Sequence, residues 1–189
     1  FADKANIARI IGSRFPSHIP HTWLLQDEKD HTNLLATGFD EDGKPLYPLI
    51  LKRNVQKQNG LQFVNHVSDL KASNFVVCQR VLGNPLLVNT RKINVRLYLL
   101  VICRVNDVSM HMFEDGFLYY TRKPFSNTDI SFDTQITTGY MQRDVYKDNP
   151  LTLRDLYAFL GEKQGMILKT NIVTMMKDAA TAFLPHVDM

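Results

Sequence analysis

Six polar side chains sit on runs that otherwise read as buried β-strands, and their types suit the holding of an anion. Lys52 follows Leu49-Ile50-Leu51, Gln79 and Arg80 follow Val76-Val77-Cys78, and Lys92, Asn94 and Arg96 alternate with Ile93, Val95 and Leu97. Successive side chains on a strand point to opposite faces. Lys92, Asn94 and Arg96 therefore share one face, with the aliphatic set behind them. Between the first and last of the three a strand advances roughly 13 Å at ~3.3 Å per residue, about the reach of an extended nucleotide.

Each of these residues has its own chemistry. A guanidinium keeps its charge and forks onto phosphate oxygens, so Arg96 is the candidate catalytic group. Beside apolar strand neighbours it needs an anionic partner, either a ligand or a structural carboxylate. Lys52, at a strand end beside a loop, either holds phosphate as a point charge or is an ordinary exposed lysine. The Gln79 carboxamide can donate and accept, which suits a base edge or, equally, a neighbouring strand. Lys92 opens its strand and is either an anion ligand or solvated. The loop 54–60 carries a single glycine, Gly60, and reads as a phosphate cradle or a plain hairpin.

These residues must be positioned by an α+β arrangement, strands first and helices last. The pattern predicts a short helix over 2–12, ended by Pro16 and Pro20. A polar loop follows over 27–44. Strands are expected at 47–53, 61–66, 75–82 and 92–104, with Asp115-Gly116 turning a hairpin between 108–113 and 117–121. Residues 122–149 read as irregular, with a short strand around 134–141. Asn149-Pro150 opens a helix closed by Gly161, and a second helix covers 166–184.

Composition narrows the function classes. The chain has 189 residues, 44% hydrophobic and 22% charged, a globular profile that excludes intrinsic disorder. The net charge of +3 is too mild to imply nucleic acid, and Phe117, Tyr119 and Tyr120 do not fall in an RNA-binding strand motif. Lys52, Arg53, Lys57, Arg80, Arg91, Lys92 and Arg96 cluster locally. Cys78 and Cys103 both lie in apolar runs and read as buried free thiols, which suits a reducing compartment. The longest apolar run, Leu97 to Cys103, falls far short of the roughly 20 residues that span a bilayer. No histidine falls in a metal-binding pattern.

The order of these segments resembles the tubulin–tyrosine ligase-like family. The carriers are Leu49-Ile50-Leu51-Lys52, Val77-Cys78-Gln79-Arg80, Asn84-Pro85-Leu86-Leu87 and Lys92-Ile93-Asn94-Val95-Arg96-Leu97-Tyr98, together with Phe15-Pro16, His21-Thr22-Trp23-Leu24-Leu25, Phe113-Glu114-Asp115-Gly116-Phe117-Leu118 and Pro124-Phe125. The likeness covers about residues 15–145. It implies ATP-grasp-like lobes with mainly antiparallel sheet, residues 1–74 in a first lobe portion and 75–189 in a second that lacks its final metal-binding strands and carries the two C-terminal helices read from the pattern. It also implies ATP as substrate, with Lys52, Gln79, Lys92, Asn94, Arg96, Thr137 and Thr138 on the nucleotide and the Arg80–Val81 backbone against adenine. The implied partners are a free amino acid and tubulin or another acidic-tailed protein, at a cytoplasmic, microtubule-associated address.

Several positions depart from the family pattern. Asn94 replaces the acid of a Lys-Phe-Asp-x-Arg strand, Tyr119 stands where an arginine follows the glycine hairpin unless Arg122 serves, Lys123 replaces an acid, and Ile136-Thr137-Thr138 replaces Leu-Thr-Asn. The Asp and Glu-x-Asn strands that would hold Mg2+ are expected beyond residue 189, so the chain reads as a fragment inactive by itself. Two functions stay open: an ATP-dependent amino-acid ligase acting on a protein carboxylate, and a catalytically inactive pseudo-ligase that binds nucleotide or tubulin.

Overall fold

The structure is a computed structural model that describes residues 3–55, 60–71, 74–105, 107–137 and 143–186. The chain forms two compact units, 1–84 and 85–189. The division falls later than the 74/75 boundary read from the sequence. The reason is that the strand Val77–Arg80 is bonded on both sides within the first unit's sheet.

In the first unit Asp3 caps helix α1 (Lys4–Arg14), accepting from the Asn6 N–H at 2.9 Å. Strand β1 (Thr22–Leu24) leads to helix α2 (Glu28–Gly38), then to β2 (Leu49–Lys52), β3 (Leu61–Phe63) and β4 (Val77–Arg80). The sheet is antiparallel in the order β1-β4-β2-β3, with Trp23 opposite Cys78 and Cys78 opposite Leu51. Helix α2 overturns the expected 27–44 loop. Asp27 accepts from the N–H groups of Lys29 and Asp30, and acids in the first turn suit the helix dipole. Its core-facing stripe is narrow, essentially Leu34 and Gly38, so apolar periodicity could not reveal it. Trp23, Leu34, Phe39, Leu49, Leu51, Val64, Phe75 and Cys78 form the core. The Trp23 indole N–H donates to Asn33 Oδ1 at 2.9 Å, which removes the cost of burying it.

In the second unit β6 (Arg91–Arg96) lies between β5 (Leu87–Val88) and β9 (Phe117–Tyr120), both antiparallel to it. Asn89 and Thr90 both have positive φ, 44° and 68°, which closes the β5–β6 hairpin in two residues. The expected 92–104 strand is two strands. β7 (Leu99–Arg104) leaves that sheet to pair with β8 (Asp107–Met112). Asp115-Gly116 therefore joins two sheets instead of turning a hairpin. A Cβ on Gly116 would lie 2.6 Å from the Arg96 carbonyl oxygen, so the chain needs glycine to pass the end of β6. Cys103, on the β7–β8 hairpin, is an exposed thiol, whereas Cys78 is buried as expected.

Ile93, Val95, Leu118 and Tyr120 pack with Val88, Leu153, Leu156 and Ile172. Helix α3 (Phe132–Gln135) stands where the strand expected at 134–141 would begin, and residues 138–141 of that span are outside the described residues. The last described α-helix is α4 (Leu153–Phe183). Its cap is Thr152, in a reciprocal box with Asp155, and not Asn149. Gly161, at φ 76° and ψ 169°, breaks it where the sequence placed a helix end. No described helix is long and apolar enough to cross a membrane.

Candidate functional site

The first unit gathers its candidates on the sheet face opposite the core. The Lys52 ammonium donates to Gln79 Oε1 at 2.5 Å, and Gln79 Nε2 donates to Thr22 Oγ1 at 2.7 Å. The Thr22 hydroxyl in turn donates to the Pro20 carbonyl at 2.7 Å. Register explains the row: Thr22 and Ile50 flank Gln79 directly, and Lys52 lies one step diagonal. Arg80 is placed differently. Its guanidinium sits 4.4 Å from the Tyr47 ring centroid. Its N–H donates to the His21 carbonyl, and the Val81 N–H donates to the Pro48 carbonyl, both at 2.9 Å. These two N–H groups are thus engaged within the first unit. Arg53 lies 4.6 Å from the Phe75 ring centroid. Most of the loop expected to cradle phosphate, 56–59, is outside the described residues.

A groove of about 560 Å³ in this unit carries His21, Asp27 and Asp30. Asp27 caps α2, and Asp30 accepts from the Leu24 N–H at 2.8 Å, so these carboxylates have structural work.

The second unit presents the expected row on β6, with Ile93 and Val95 inward and Asn94 and Arg96 exposed. Arg96 closes the strand. Its guanidinium lies 4.8 Å from the centroid of Tyr119, a diagonal neighbour, since Asn94 pairs with Tyr119 and Arg96 with Phe117. The half-buried Lys92 holds its ammonium 5.9 Å from the Phe125 ring centroid. Burial lowers its pKa below the ordinary lysine value. Among the described residues no carboxylate pairs with Lys92 or Arg96, which leaves the structural ion pair for Arg96 without support. Stacking occupies the flat face of a guanidinium and leaves its N–H edges available.

Other cations here have structural tasks. Arg91 donates to the carbonyls of Thr121 and Arg122. Arg122 and Lys123 both lie 3.6 Å from Asp133, so Arg122 is engaged by that carboxylate. Thr137 follows α3 outside any helix or strand, and Thr138 is outside the described residues.

Sequence reasoning missed Thr22, Tyr47 and Phe125 as supports for cations. Alternation places a side chain on a face but does not reveal its diagonal neighbour. Among the described residues no three His, Cys, Asp or Glu side chains gather as a metal site. These residues do not fit Mg2+.

Three antiparallel sheets, two of them bearing the candidate cations, together with the helix α4, define an α+β protein of ATP-grasp-like build. The sequence model of the tubulin-tyrosine ligase family matches residues 4–156, and the chain belongs to that family. Membership suggests an ATP-dependent ligase acting on protein carboxylates. No curated protein sequence matches the chain.

Proposed function

We propose that this protein is an ATP-dependent ligase that joins an amino acid to a protein carboxylate. The acceptor carboxylate oxygen attacks the γ-phosphorus of ATP, and ADP leaves with the electron pair of the broken P–O bond. The amino group of the second substrate then attacks the acyl carbon. Phosphate leaves, the nitrogen loses a proton, and an amide remains. In this reading Lys52 and Lys92 hold phosphate as point charges. Arg96 stabilises charge on the transferring group through its N–H edges. Gln79, Arg80, Val81, Asn94, Thr137 and Thr138 are the further nucleotide contacts. The acceptor is tubulin or another acidic-tailed protein, attracted by the basic character of these strands. The donor is tyrosine, glutamate or glycine, and the setting is cytoplasmic, at microtubules.

The observation that supports the reading best is the seating of Arg96: it is exposed on a strand face and stacked on Tyr119, with no carboxylate among the described residues to neutralise it. The alternative is a pseudo-ligase that binds nucleotide without turnover. It is favoured by Asn94 in place of the acid and by Tyr119 in place of an arginine. ADP release by the full-length protein separates the two. A ligase releases ADP over many turnovers only when an amino acid and an acidic-tailed acceptor are both present. Saturable ATP binding without ADP release under every combination of substrates selects the pseudo-ligase.

A further inference from the structure

The hydrogen bonds around Gln79 have a direction fixed at both ends. A lysine ammonium only donates, and a backbone carbonyl only accepts. Lys52 at one end therefore requires Oε1 of Gln79 to face it, and the Pro20 carbonyl at the other end requires the Thr22 hydroxyl to donate away from Gln79. The lone pairs left on Thr22 Oγ1 must then take the amide N–H. Only one orientation of the Gln79 amide satisfies all three contacts, so its assignment does not rest on telling oxygen from nitrogen. The relay crosses three strands, β1, β4 and β2, and ends on the residue after Leu51, which is fully buried. Both ends therefore stand on rigid sheet.

We infer that Thr22 and Gln79 are positioning residues that aim the Lys52 ammonium along the sheet face toward an anionic phosphate group. In addition to its contact with the nucleotide, Gln79 acts through Lys52. The Thr22 hydroxyl, two strands away from Lys52, sets the reach of its charge. A lysine stem is long and flexible, and holding its head in one direction removes rotamer freedom that an anion would otherwise have to remove on binding. This inference rests on the reading that Lys52 holds phosphate, and it deepens that reading.

The test uses Thr22→Val, which keeps shape and loses the hydroxyl, and Thr22→Ser, which restores it. The first readout needs no nucleotide: proton exchange of the Lys52 ammonium, followed by ¹⁵N NMR. Slow exchange in the wild type and Thr22→Ser, and faster exchange in Thr22→Val, is the expected result. Equal exchange in all three overturns the relay. The second readout is titration calorimetry with ATP, inorganic tripolyphosphate and adenosine. Losing one such hydrogen bond corresponds to about 3- to 10-fold in affinity. Thr22→Val should lose that factor for ATP and tripolyphosphate and none for adenosine, while Thr22→Ser stays within about twofold of the wild type. An equal loss for adenosine, or no loss for tripolyphosphate, overturns the positioning role. A wild type that shows the slow exchange yet binds neither ATP nor tripolyphosphate upholds the relay and overturns the nucleotide reading instead.

Discussion

The two units hold their cations by opposite means. In the first, Lys52 is wired by hydrogen bonds through Gln79 to Thr22. In the second, Lys92 and Arg96 rest on the rings of Phe125 and Tyr119. A hydrogen-bond relay is directional, and a single lost hydroxyl breaks it. An aromatic seat is broad: it depends on the ring face and tolerates loss of the phenolic oxygen. Each of these supports is an uncharged side chain. Surface ion pairs elsewhere in the chain, such as Lys147 with Asp144 at 2.7 Å, use a carboxylate instead.

The largest effect should come from removing the floor beneath either arrangement. Leu51 and Leu118 are fully buried, on strands that carry the relay and the aromatic row respectively. Leu51→Ala and Leu118→Ala should each cost about 2–5 kcal/mol in chemical denaturation. A cost below about 1 kcal/mol would mean that the corresponding sheet is not what holds the cations.

Removing a cation comes next. Lys52→Met and Arg96→Ala should each weaken ATP binding about 10- to 100-fold in calorimetry, the range for a hydrogen bond to a charged group, with little change in melting temperature. Loss in one variant alone would show that only one of the two means of support serves the ligand.

The seat itself should matter less. Tyr119→Leu removes the ring and should weaken ATP binding about 2- to 5-fold, in line with an exposed cation–π contact of roughly 0.5–1 kcal/mol. Tyr119→Phe keeps the ring and should behave as the wild type. If Phe fails as badly as Leu, the hydroxyl is what matters and the contrast with the relay collapses.

The smallest expected effect is in pH dependence. Burial depresses the Lys92 pKa in the folded protein below its ordinary 10.5. The unfolded chain then binds that proton more tightly, so folding stability rises with pH between the depressed value and 10.5. Lys92→Met should remove that rise, read as the difference between wild type and variant across pH 8 to 11. A wild-type stability that falls relative to the variant over this range would mean that Phe125 and its surroundings favour the charged form.

The sequence made one thing legible that the structure retains: the facing of β6. Ile93 and Val95 point to the core and Asn94 and Arg96 outward because a strand allows no other alternation. The Gly161 helix break was legible for a similar reason, since glycine reaches positive φ without strain. The extent of β6 was not. Leu97 to Cys103 continues the apolar pattern, yet the chain changes sheets there, and pairing partners are not written in local alternation. Helix α2 was hidden because so little of it is buried. The relay was hidden because Thr22 and Lys52 meet only through β4, a contact that depends on register. Lys52 itself was visible as a strand-end lysine, but the reason for its direction was not.

Melting of the full-length protein with and without magnesium and ATP, beside Arg96→Ala and Lys52→Met, tests the central claim most directly. At ATP tenfold above its Kd the wild type should gain about 1.4 kcal/mol, roughly 4 °C for a chain of this size, and each variant should lose most of that gain at the same ATP concentration. An unchanged wild-type melting temperature at millimolar ATP, or an equal rise in both variants, would contradict the assignment of these cations to a nucleotide.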